Sequence, residues 1–158
     1  MKWIVTAVAL IGLYSGETFA CSCVGGPEVT RENVEAALKK ADLVFVGRIE
    51  STEPFSADEH GHTYNYQRAQ FYVVQSWKGE KSVRVYTEAI TGCCMCGIWF
   101  PEKGTYLVYA SGPKPNGSYS TGICTRTKLL EHATEEIALL DKLVAEGKQT
   151  SSPSPRIP

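Results

Sequence analysis

Six cysteines fall in three places along a chain of 158 residues: Cys21-Ser22-Cys23, Cys93-Cys94-Met95-Cys96, and Cys124. No other feature limits the possible folds as sharply, because the compartment decides what the thiols become. The first cluster follows an apolar run, Ile4 to Leu13, preceded by Lys2 and followed by a polar stretch ending in Thr18-Phe19-Ala20. That three-part layout, with small residues at the −3 and −1 positions, predicts a secretory signal over residues 1–20 cut before Cys21. The run is far short of the roughly 20 residues that cross a bilayer, and no other segment approaches that length, so no transmembrane span is expected. The exported chain would have about 138 residues, enough for one domain with its own core. On the oxidising side of a membrane the cysteines are expected as disulfides, and six of them allow 15 complete pairings. Spacing alone does not choose among these. Bacterial lipoproteins also begin at a cysteine, but their processing site resembles Leu-Ala-Gly-Cys. Phe19 departs from it, so free secretion is the expectation and a lipid-anchored envelope protein the alternative.

The formal charge is −1, which gives no electrostatic case for nucleic acid or an anionic membrane. Gly25-Gly26-Pro27 reads as a turn, and Thr30 as the cap of a short helix carrying Val34, Leu38 and Ala41. Leu43 to Ile49 has the composition of a buried strand, and polar Ser51 to Thr63 reads as a loop. Tyr64 to Trp77 predicts a long strand with a bulge near Ala69-Gln70. Lys78 to Lys81 is a turn; Ser82 to Glu88, Thr105 to Ala110 and Tyr119 to Ile123 complete the strands. Leu130, Ala133, Ile137, Leu140 and Val144 lie on one helical face, with Glu135 and Glu136 in the first turn and Gly147 as the stop. The expected fold is mainly β with helices: a five-stranded barrel of the OB kind, with an early and a late helix packed outside. A β-sandwich is the alternative. The domain is expected over 21–146, with a disordered Ser/Pro-rich tail over 147–158.

Cys21 and Cys23 lie on one side of an extended segment but are poorly placed to bond each other, so each is expected to tie the terminus to a different distant element. With "CSCV" at the start, "ADLVFVGRI", "WKG", "CGIWFPEKGTYLVYA" and "YSTGICTRTKLL" follow in order. Together these motifs resemble the tissue inhibitors of metalloproteinases, specifically their N-terminal, netrin-like OB domain in the small form of bacteria and some invertebrates. The resemblance spans about Cys21 to Leu143, and it is the ordered series that makes it specific. It implies disulfides Cys21–Cys96 and Cys23–Cys124. It also implies a ridge of Cys21, Ser22, Cys23 and Val24 beside Cys94 and Met95 that fills a protease cleft. Cys93 and Cys94 depart from the family's pattern, and a vicinal bond between them is one outcome.

The implied function is inhibition of zinc metalloproteases by a secreted, non-catalytic monomer with no cofactor of its own. Its chemistry follows from the terminus. A free α-amine has a pKa of about 7.7–8.0, so a metal can displace its proton near neutrality. The nitrogen and carbonyl oxygen of Cys21 can close a five-membered chelate on the protease's zinc, taking the position where the catalytic water sits. Ser22 would enter the adjacent pocket, and its small side chain predicts broad selectivity. The main rival is a non-inhibitory netrin-like module that binds another protein; a third reading is a cysteine-based metal or redox protein, with "CCMC" holding Cu(I) or zinc. In an oxidising compartment disulfides are the expectation, which places this third reading last. His60-Gly61-His62 reads as an exposed loop and His132 as the decoration of a helix start. The tyrosines Tyr64, Tyr66, Tyr72 and Tyr106, with Phe71, read as core and cross-strand packing rather than a nucleic-acid platform.

Overall fold

The computed structural model describes Cys23 and residues 28–79, 84–91 and 97–150. Its elements run α1 (Arg31–Lys40), β1 (Leu43–Glu59), β2 (His62–Lys78), β3 (Arg84–Ile90), β4 (Thr105–Ala110), β5 (Tyr119–Ser120), β6 (Lys128–Leu129) and α2 (Thr134–Thr150). The strands form one mixed six-stranded sheet in the order β5-β3-β2-β1-β4-β6. All neighbours are antiparallel except β3 and β5. Beyond the end of β4, Ser111 and Ser120 exchange both backbone hydrogen bonds, at 2.9 and 2.8 Å, so β5 is held by β3 on one side and by Ser111 on the other.

The start of β1 and all of β4 after Thr105 are buried residue after residue because these strands are covered on both faces. On β1, Leu43 and Phe45 face a core shared with Phe71, Phe100, Tyr106 and Val108, whereas Val44 and Val46 face the helices with Leu107, Tyr109, Val34 and Leu140. Phe71 meets Phe45, Phe100 and Tyr106 edge-on, the arrangement that ring quadrupoles favour. Helix α1 starts where its cap predicts, with the Asn33 N–H donating to Thr30 Oγ1 at 3.2 Å. Its last carbonyls, Leu38 and Lys39, accept from Lys78 Nζ at 2.9 Å each, which fixes the helix to the end of β2.

Three expectations are corrected. The polar stretch from Ser51 onward is strand, not loop: β1 continues to Glu59 and returns as β2 through His60-Gly61, both at positive φ (54° and 80°). Such a two-residue turn matches the twist of the strands it joins. This ribbon lacks apolar alternation because cross-strand polar pairs hold it, Thr63 Oγ1 on Asp58 at 2.6 Å and Ser56 Oγ on Asn65 at 2.9 Å, together with the Phe55–Tyr66 stack. The irregularity expected at Ala69-Gln70 lies on the partner strand, where Glu50 is extra between Ile49↔Phe71 and Ser51↔Gln70. Finally, α2 runs through Gly147 to Thr150; Gly147 has no left-handed φ and so does not stop the helix. Residues 151–158 lie outside the described residues.

Candidate functional site

Of the six ridge positions, Cys23 alone is described. Cys21, Ser22, Val24, Cys94 and Met95 lie outside the described residues, as do Cys93, Cys96 and therefore the Cys21–Cys96 and Cys93–Cys94 bonds. Cys23 is joined to Cys124, with Cα atoms 5.1 Å apart and a sequence separation of 101. This is the pairing the resemblance implies.

Cys124 sits in a 3-10 turn, Ile123–Thr125, just beyond β5. The turn is braced from beneath by hydroxyls: Thr121 Oγ1 donates to the Tyr109 carbonyl at 2.8 Å, Thr127 Oγ1 accepts from the Tyr109 N–H at 3.0 Å, and Thr125 Oγ1 donates to the Gly122 carbonyl at 2.7 Å. The next residue, Arg126, takes a left-handed φ of 73°. Its guanidinium donates to the Glu28 carbonyl at 3.2 Å, which Asn33 Nδ2 also reaches at 3.3 Å. Residues 23 and 28 are thus both tied to residues 124–126, one covalently and one by a hydrogen bond.

Arg126 is held in turn by Glu136, a fully buried carboxylate on α2. Arg126 Nε and Lys128 Nζ each approach it at 2.7 Å, and the Tyr109 hydroxyl donates to it at 2.8 Å. Burial works to raise the Glu136 pKa, but hydrogen bonds from Arg126, Lys128 and Tyr109 outweigh it and hold the carboxyl below its ordinary range. The same burial, with Glu136 beside it, pushes the Tyr109 hydroxyl well up.

The second cysteine cluster belongs to the segment that leaves β3. Because β3 and β5 run parallel, with Glu88 opposite Ser120, their chains leave the sheet side by side and in the same direction. The Thr121 N–H extends this ladder to the Glu88 carbonyl at 3.1 Å. One exit leads to residues 92–96 and the other to Cys124 with Cys23 attached. The base of the 92–96 segment is pinned on both sides. At its start, the Thr91 N–H donates to the Asn65 carbonyl at 2.8 Å. At its end, Gly97 lies so close to the Ile90 carbonyl that a Cβ there would collide with it. Three residues on, buried Gln67 pairs with Phe100 as a neighbouring strand would: its Oε1 accepts the Phe100 N–H and its Nε2 donates to the Phe100 carbonyl, both at 2.8 Å.

A second buried carboxylate, Glu88, lies at the β3–β5 junction and binds Arg68 at 2.7 Å and Lys114 at 3.1 Å. Burial opposes its charge, yet the bonds from Arg68 and Lys114 keep its pKa lowered. Lys114 and Arg68 lie over the Tyr66 and Phe55 rings, so this pair fastens the ribbon to the loop after β4. Tyr66 itself is pushed up to about 12, first by burial and then by its bond to Glu59.

Nothing in the sequence pattern sets Gln67, Arg126 or Glu136 apart. Glu136 reads as one of two first-turn helix acids, and only the fold distinguishes it from exposed Glu135. His60 and His62 are exposed at the ribbon tip, and among the described residues no group of three or more His, Cys, Asp or Glu side chains could hold a metal ion. Among the described residues no helix is long and apolar enough to cross a membrane. No protein-family model matches the sequence, and no curated protein matches it.

Proposed function

We propose that this chain is a secreted inhibitor of zinc metalloproteases built on a closed OB-type barrel, with no catalytic activity of its own. The observation that carries the reading is the Cys23–Cys124 disulfide at the exit of β5, beside the parallel exit of β3. This is where a terminal segment and a cysteine loop would need to lie side by side as a ridge. The barrel reading is supported by the Ser111–Ser120 bridge, which joins the end of β4 to β5 and would close the circuit β1-β2-β3-β5-β4.

In this reading, cleavage of the Ala20–Cys21 bond releases an α-amine that gives up its proton and coordinates the protease's zinc together with the Cys21 carbonyl oxygen. The chelate displaces the zinc-bound water and so removes the nucleophile of peptide hydrolysis. Ser22 enters the pocket beside the metal, and Val24, Cys94 and Met95 flank it. Holding the segment by Cys23 and by Arg126 before binding lowers the ordering cost of association.

Intact-mass and N-terminal analysis of exported protein, followed by inhibition assays against a panel of purified zinc metalloproteases, tests the proposal. A free Cys21 terminus with tight, competitive inhibition is the expected result. An acylated Cys21 favours a lipid-anchored module, and an internal Cys21 or failure to inhibit any zinc metalloprotease overturns the mechanism.

A further inference from the structure

Resting on that reading, we propose that Trp99 is a second protease contact, an apolar anchor that docks on the rim of the cleft beside the ridge. Tryptophan is seldom left open to solvent, yet Trp99 is 60% exposed. The other tryptophan among the described residues, Trp77, is half-buried and donates its indole N–H to Asp141 at 2.7 Å. Among the described residues nothing accepts the Trp99 N–H.

The position of Trp99 is fixed by its neighbours. Gly97 is pressed against the Ile90 carbonyl at the base of the cysteine segment, and Ile98 packs on the inner core. Phe100 is wholly buried against Phe71 and Tyr106, with both its backbone groups paired to Gln67. Inward side chains at 98 and 100 leave the one between them directed outward, two residues from the pinned base. An aromatic ring presented on immobilised backbone loses little freedom on binding, and interfaces draw much of their energy from such residues. Of the other large exposed apolar side chains among the described residues, Tyr72, Val74 and Tyr86 belong to strands β2 and β3, and Ile123 and Leu130 to 3-10 turns. Tyr86 therefore serves as a control for the loss of an exposed ring elsewhere.

The test compares inhibition constants of Trp99→Ala, Trp99→Phe and Tyr86→Ala with the unaltered protein, all beginning at Cys21 and all checked for an unchanged melting temperature. Trp99→Ala should weaken inhibition about 30-fold, mainly by faster dissociation. Trp99→Phe should recover part of the loss, and Tyr86→Ala should stay within about twofold. In a Trp77→Phe background labelled with 5-fluorotryptophan, the Trp99 fluorine resonance should lose its solvent isotope shift in the complex. If the unaltered protein inhibits but Trp99→Ala matches it, the anchor is refuted and the function stands. If the unaltered protein inhibits no zinc metalloprotease, the functional reading fails and the anchor with it.

Discussion

Replacing Glu136 with Gln probes how the helix layer supports the segment around Glu28. Glu136 receives two bonds from Arg126, one from Lys128 and one from the Tyr109 hydroxyl, and none of its surface is open to water. Glutamine keeps the volume but removes the charge, and its amide N–H groups face a cation wherever they point. Taking one partner from a buried ion pair costs about 3–5 kcal/mol. Lys128, whose side chain is 22% exposed, can recover some hydration, which places the expected loss at the lower end, about 3 kcal/mol. For a domain of this size that lowers the melting temperature by roughly 10 °C. Urea unfolding should show the loss as a shifted midpoint at unchanged slope. The pH dependence has a defined sign. The folded pKa of Glu136 is depressed, so its contribution is complete above the unfolded carboxylate value of about 4.3 and is lost as pH falls through the lower folded value. The gap between the two proteins should therefore be full at neutral pH and shrink in acid. Because Arg126 also holds Glu28, amide exchange around Glu28 should quicken in the variant. A variant within about 1 kcal/mol of the parent at neutral pH, or a gap that widens in acid, would refute the network as described.

The other structural claims give separate tests. Gln67→Leu leaves the Phe100 N–H and carbonyl buried without partners, so stability should fall by about 3 kcal/mol and the Phe100 amide should exchange faster; protection equal to the parent would contradict the pairing. Replacing Cys23 and Cys124 together by Ser removes a cross-link of sequence separation 101 and should cost about 4 kcal/mol in urea unfolding; in the proposed function, inhibition should fall alongside.

What the sequence revealed depended on whether burial imposed a period. Strands β1 and β4 were legible over Leu43 to Ile49 and Thr105 to Ala110 because a layer covers each of their faces and both sets of side chains are apolar. Helix α1 was legible from Thr30, and α2 from its stripe of Ile137, Leu140 and their neighbours. Of the ribbon, the side from Tyr64 onward was legible from its aromatic and β-branched residues, whereas residues 51–59 were missed because polar pairs and a stacked ring pair hold them and leave no hydrophobic period. Gln67 and Glu136 were missed for a different reason: a buried polar residue looks like a surface one until its partners, 33 residues away for Gln67 and up to 27 for Glu136, are brought beside it. The Cys23–Cys124 bond came from the resemblance, since spacing left every pairing open. The remaining ridge residues lie outside the described residues, and their roles rest on that resemblance and on the edge to which Cys23 is fixed.

In the proposed function a main-chain amine, and not a side chain, meets the zinc of a metalloprotease. The most direct measurement is the inhibition constant of protein beginning at Cys21 against the same protein carrying one additional alanine ahead of it. The extension turns the amine into an amide, leaves every described residue in place and should not alter the melting temperature. Chelation by the amine should then be lost, and inhibition should weaken by at least about a thousandfold. An extended protein that inhibits within about threefold of the parent would contradict it.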